Sequence, residues 1–75
     1  MEIRMKKVQG RIIIEVKEED VEYEINLEER LDSQGYLHIS ADSIDTCGFP
    51  HPTDAKNEII QELIKHNIKV DNYSY

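Results

Sequence analysis

The sequence predicts an α+β fold, a two-layer sandwich in which an antiparallel sheet of three strands, with a fourth available near the C-terminal end, packs on one C-terminal helix in the order β-β-β-α(-β). Three observations carry this. Apolar residues recur at every second position through Val8, Ile12, Ile14 and Val16, through Val21, Tyr23, Ile25 and Leu27, and through Leu37, Ile39 and Ala41, the period of strands with one covered face. Beyond Thr53 the spacing changes to Ala55, Ile59, Ile60, Leu63 and Ile64, one stripe of a helix. Only Lys17 to Asp20 separate the first two runs, a connection short enough to make them antiparallel neighbours.

In the first strand, VQGRIIIEVK places Ile13 on the polar side, either half covered or as an exposed apolar site. The second, VEYEINLE, sets Val21, Tyr23, Ile25 and Leu27 against Glu22, Glu24, Asn26 and Glu28 without glycine or proline. The turn between them lacks the Asn-Gly or Asp-Gly pair of the tightest hairpins. DSQG, residues 32–35, is a turn by composition, because Asp and Ser bond to nearby backbone and Gly accepts positive φ. YLHISA supplies the third strand. ADSIDTCGFPHPT has no period and two prolines, and is expected to be a long loop. Thr53 is expected to cap the helix, Asp54 to sit in its first turn, and Asn67 to stop it in a left-handed conformation. Ile68 and Val70 offer a short edge strand.

Seventy-five residues make one domain over residues 1–75, with a folded core over 1–70 and a polar, aromatic tail, Asp71–Tyr75, expected to fray. Cys47 is the only cysteine, so no internal disulfide forms, and with no apolar run of signal-peptide or membrane-span length the expected location is the cytoplasm. Net charge is −7. Residues 1–14 hold Arg4, Lys6, Lys7 and Arg11 against Glu2, whereas residues 15–32 hold nine acids against Lys17 and Arg30. Such a chain is repelled by phosphates and anionic bilayers, so neither direct nucleic-acid nor membrane binding is expected. The basic N-terminal segment carries no stacking aromatic and is expected to pair with the acidic second strand, VEYEINLE.

One helix covers one face of the sheet, so the other face meets water or a partner. Glu22, Glu24 and Glu28 lie on that uncovered face, Glu15 across the hairpin, and Glu18, Glu19 and Asp20 at its tip. Carboxylates two residues apart along a strand repeat at about 6.6 Å, a spacing similar to that of phosphates along a nucleic-acid strand. These seven residues are the candidate partner-binding set, suited to the basic surface of another protein. The plainer reading is a solvated face that keeps a small sheet soluble. Against it, adjacent like charges cost tenths of a kcal/mol per pair, which interspersed lysines would avoid.

Catalysis has little to stand on. Cys47 and His51 in CGFPH lack a third orienting group, the other histidines lack metal-ligand spacing, and Gly10, Gly35 and Gly48 form no phosphate loop. No cofactor or metal is expected. The stretch GYLHISADSIDTCGFPHPT followed by an amphipathic helix, residues 35–66, resembles HicB-like antitoxins, in which a strand opening at a Gly-Tyr step leads through a proline-and-glycine loop to a Thr-capped helix. The Pro-Asp-Leu-Pro-Gly core of that loop is absent, Asp54 and Ala55 replace the Glu-Ala pair, and an extra hairpin precedes it, so no residue role is carried over. The expected function is that of a small, acidic, non-catalytic inhibitor or regulator of a nucleic-acid-handling protein, of phage or mobile-element type. The alternative is an antitoxin-like or self-associating module, a homodimer, joined through sheet edges or Ile13.

Overall fold

A computed structural model describes residues 1–73, leaving Ser74 and Tyr75 outside the described residues. Six strands and one helix follow in order: β1 (Glu2–Val8), β2 (Arg11–Glu18), β3 (Val21–Glu28), β4 (Arg30–Leu31), β5 (Leu37–Ser40), α1 (Pro52–Lys65) and β6 (Lys69–Asp71), with a single 3-10 turn at Ala41–Ser43. The fold is α+β, as the sequence predicts. An antiparallel sheet β1-β2-β3 and a second small sheet β4-β5-β6 share one core with the helix.

The membership of the sheets differs from expectation. The third strand of the large sheet is Glu2–Val8 rather than the 36–41 segment, which lies in the second sheet. Gly10 causes the difference. Its φ of +73° reverses the chain within two residues, and a Cβ there would meet nothing within 4 Å, so backbone conformation and not space selects glycine. Val8 thus pairs with Arg11 instead of preceding it on one strand. At the other edge, Asp32 closes the β4–β5 reversal: its Oδ1 accepts the N–H groups of Gln34 and Tyr36 at 2.8 and 2.9 Å, the local bonding expected of DSQG.

Pairing of β5 with β6 is parallel, His38 opposite Lys69 and Ile39 opposite Val70, and α1 is the crossover between them. The helix begins two residues earlier than Thr53 as its cap would have set it. Pro52 occupies the first turn, where its missing N–H costs nothing and its φ is already helical, and His51 takes the cap position without a side-chain bond. Asn67 at φ +62° ends it: Asn67 N–H reaches the Ile64 carbonyl at 3.0 Å and Ile68 N–H reaches Leu63 at 3.1 Å, the paired bonds of a Schellman stop.

Beneath the large sheet lie Ile12, Ile14, Val16, Ile25 and Leu27. The helix contributes Ala55, Ile59, Ile60 and Leu63, and the second sheet Ile39 and Val70. The loop before the helix is part of this core. Ile44, Thr46 and Phe49 are buried, Thr46 Oγ1 donates to the Pro52 carbonyl at 2.8 Å, and Phe49 stacks on Tyr23 with ring centroids 4.1 Å apart. Of the expected tail, Asp71 completes β6 and Tyr73 packs partly against the core; its last two residues lie outside the described residues.

Candidate functional site

Strand alternation decides what the uncovered face displays. The register aligns four rows across β1, β2 and β3: Glu2–Lys17–Glu22, Arg4–Glu15–Glu24, Lys6–Ile13–Asn26 and Val8–Arg11–Glu28. The face is therefore not uniformly anionic, because β1 brings Arg4 and Lys6 onto it. The two edges differ instead, with Arg4 and Lys6 on β1 at one and Glu22, Glu24 and Glu28 on β3 at the other, while the middle strand carries Lys17, Glu15 and Arg11.

The seven predicted carboxylates separate into three groups. Glu15 is engaged: Lys6 Nζ lies 2.8 Å from its Oε1, and that hydrogen bond raises the lysine above its ordinary pKa. Glu18 shares parity with Ile12, Ile14 and Val16 and so turns to the covered side, where its Oε2 is buried without a hydrogen-bond partner among the described residues. Glu19, Asp20, Glu22, Glu24 and Glu28 are exposed and form no ion pair among the described residues. Lys17 stands opposite Glu22 without reaching it, and Arg11, opposite Glu28, donates to Asn26 Oδ1 at 3.3 Å instead. The row of Arg4, Glu15 and Glu24 and that of Glu2, Lys17 and Glu22 line an open cleft of about 350 Å³ on this face.

The tip has unusual backbone geometry. Glu18 pairs with Val21, so Glu19 and Asp20 are the whole loop, and both have positive φ, 49° and 65°. That is the backbone of a type I′ hairpin turn, for which Asn-Gly is the low-energy choice. Here two acids fill it, holding both carboxylates at the outer end of the hairpin.

Ile13 is half-buried. Its cross-strand neighbours, Lys6 and Asn26, are tied to Glu15 and Arg11, which sets bonded polar side chains on either side of it. Of the basic N-terminal side chains only Lys6 forms an ion pair among the described residues, and its partner is on β2 rather than in the β3 column.

Away from this face, Cys47 is exposed, and its thiol is raised above the ordinary value chiefly by a hydrogen bond with Asp45, which disfavours the thiolate a nucleophile needs. The same interactions with Cys47 lower Asp45. Among the described residues no three His, Cys, Asp or Glu side chains gather as metal ligands, and no helix is long and apolar enough to cross a membrane.

The arrangement that sequence reading missed lies on the second sheet. His38, one of the histidines without metal-ligand spacing, has both ring nitrogens engaged: Nε2 lies 2.7 Å from Asp32 Oδ2 and Nδ1 lies 3.1 Å from Asp71 Oδ1. Asp71 is 33 positions away in the chain, so no local spacing announces it. Fold and surface together define a small α+β protein with one helix-covered sheet face and one open, charge-polarised face. Comparison with protein-family models, with curated proteins and with solved structures finds no match to this chain.

Proposed function

We propose that the protein is a non-catalytic binding protein that captures a basic surface of another protein through the β3 column Glu22, Glu24 and Glu28 and the tip residues Glu19 and Asp20, as an inhibitor or regulator of a nucleic-acid-handling partner. One observation carries this reading: five exposed carboxylates, four of them between Glu19 and Glu24 and the fifth, Glu28, beyond Asn26, have no cation within 4.0 Å among the described residues. Cations are present in the same sheet without pairing with these groups: Arg4 is two strands away, Lys6 serves Glu15, Arg11 serves Asn26, and Lys17, opposite Glu22 on the neighbouring strand, does not reach it. A stripe of like charge costs stability along a strand, and a cationic partner would recover that cost on binding.

The spacing supports a phosphate-like readout. Glu22 and Glu24 lie about 6.6 Å apart along β3, so a groove lined with Lys and Arg for a nucleic-acid backbone meets a matching row of anions. Exposure of these groups to water leaves them without the desolvation that general acid-base catalysis demands.

The experiment is affinity capture from the native host at low and at high salt, followed by binding measurements on the purified partner. Glu22→Lys with Glu24→Lys is expected to weaken the complex at least tenfold while the fold persists by circular dichroism. Wild-type affinity is expected to fall as ionic strength rises. A complex insensitive to both salt and charge reversal removes the proposal.

A further inference from the structure

The bridge formed by His38 lies on the second sheet, apart from the hairpin tip and from Glu22 and Glu24. The residue sits at the centre of the second sheet, and its two contacts reach two different neighbours: Asp32, in the turn joining β4 to β5, and Asp71, at the end of β6. A neutral imidazole has one N–H and one lone pair. Facing two ionised carboxylates it satisfies only one; the protonated ring donates to both.

We propose that His38 is a proton-operated fastener that holds strand β6 onto the second sheet when charged and lets it go when neutral. The contact surrendered is the one to Asp71. Asp32 is closer, at 2.7 Å against 3.1 and 3.3 Å, and is fixed in place because its other oxygen accepts two backbone N–H groups. Asp71 is the more exposed of the two acids and lies at the end of a three-residue strand. The remaining charged groups around the ring do not alter the direction. Arg30 on β4 and Lys69 on β6 are its register neighbours and oppose protonation, but the Lys69 ammonium lies 4.4 Å over the Tyr36 ring. Glu28 of β3 lines the same small cavity and favours protonation. The two carboxylates in direct contact dominate, with Asp32 first, and raise the histidine above its ordinary value of 6.5.

The sign follows. With a folded value above the unfolded one, the fastening is complete below about pH 6.5 and is lost as pH climbs through the raised value. Release frees a strand that contributes Val70 to the core and uncovers the edge of β5.

Amide hydrogen exchange across a pH series tests this, with the His38 ring signals followed by NMR in the same samples. After correction for the intrinsic exchange rate, protection at Val70 and Asp71 is expected to drop as His38 titrates, while protection at Ile14 and Ile25 stays level. In Asp71→Asn, which keeps an acceptor but removes the charge, β6 protection is expected to be low already at acidic pH and to change no further. Protection at β6 that is flat through the wild-type titration, that falls in step with β2 and β3, or that responds identically in Asp71→Asn overturns the proposal.

Discussion

Replacing Glu19→Asn and Asp20→Gly together separates stability from binding at the hairpin tip. Both residues have positive φ, at 49° and 65°. The left-handed region costs an ordinary L-residue about 1–2 kcal/mol, less for Asp and Asn, whose short side chains bond locally. Asn at the first position therefore recovers about 1 kcal/mol. Glycine at the second is close to neutral, because aspartate carries less strain there to begin with and glycine adds about 0.5–1 kcal/mol of backbone entropy to the unfolded chain. A net gain of about 1 kcal/mol remains, which for a chain of this size raises the thermal midpoint by about 4–8 °C. Thermal and urea unfolding by circular dichroism measure it, and the same variant is titrated against the captured partner. Higher stability together with weaker binding is the expected pair, the signature of backbone strain kept for a surface function. A midpoint that stays level or falls refutes the type I′ geometry. A midpoint that rises with binding unchanged refutes the role of the tip while leaving the β3 column to be judged separately.

Two further outcomes follow from the fold. Phe49→Ala removes a buried ring stacked on Tyr23; the expected loss of about 3–5 kcal/mol is a large share of the roughly 4–11 kcal/mol available to 75 residues. Urea titration is expected to show a midpoint at roughly half the wild-type denaturant concentration or lower for Phe49→Ala and one closer to wild type for Phe49→Leu. Asp32 is held at about 2 by its hydrogen bond to His38 and by the Tyr36 and Gln34 N–H groups. Its contribution is present above the unfolded value near 3.9 and is lost as pH falls toward 2, so thermal midpoints measured at pH 5, 3 and 2 are expected to drop more steeply for wild type than for Asp32→Asn.

Elements built from local periodicity were legible in the sequence. The Ile12–Val16 and Val21–Leu27 alternation, the helix stripe from Ala55 to Ile64, the Asp32 turn and the Asn67 stop all appear where residue type and spacing place them. Strand β1 was not legible, because Lys7 occupies the third inward position after Ile3 and Met5 and breaks the apolar alternation; an inward lysine on an edge strand also discourages pairing with other chains. The helix start moved because Pro52 at the first turn outweighs Thr53 as a cap. Phe49 was hidden in a segment whose prolines read as loop, although its side chain is core. For the candidate site, the column of β3 followed from parity alone, whereas Glu18, expected at the tip, turns inward because β2 runs on to it and it shares parity with Ile12, Ile14 and Val16. The engagement of Glu15 by Lys6 and of His38 by Asp71 depends on strands meeting across 9 and 33 positions, which no local pattern encodes.

Setting opposite charges at the two edges lets one sheet face carry both signs without cancelling the anionic edge. Neighbouring strands are about 4.8 Å apart, so the β1 cations stand roughly 10 Å from the β3 carboxylates. At that distance two unit charges in water interact by about 0.4 kcal/mol before screening, and the separation exceeds the Debye length of about 8 Å at physiological salt. A cation brought into contact with Glu24 at about 4 Å on the protein surface gains several times more. Lys6, on the same strand as Arg4, is already committed to Glu15, and of the β2 cations Arg11 is bonded to Asn26 while Lys17 adjoins the column at Glu22. The β1 cations therefore barely weaken the field at β3, yet they repel a basic partner that arrives over the wrong edge. Under the proposed function, a face arranged this way selects the orientation of a basic partner as well as its charge, which an unbroken field of glutamates of the same total strength does not do.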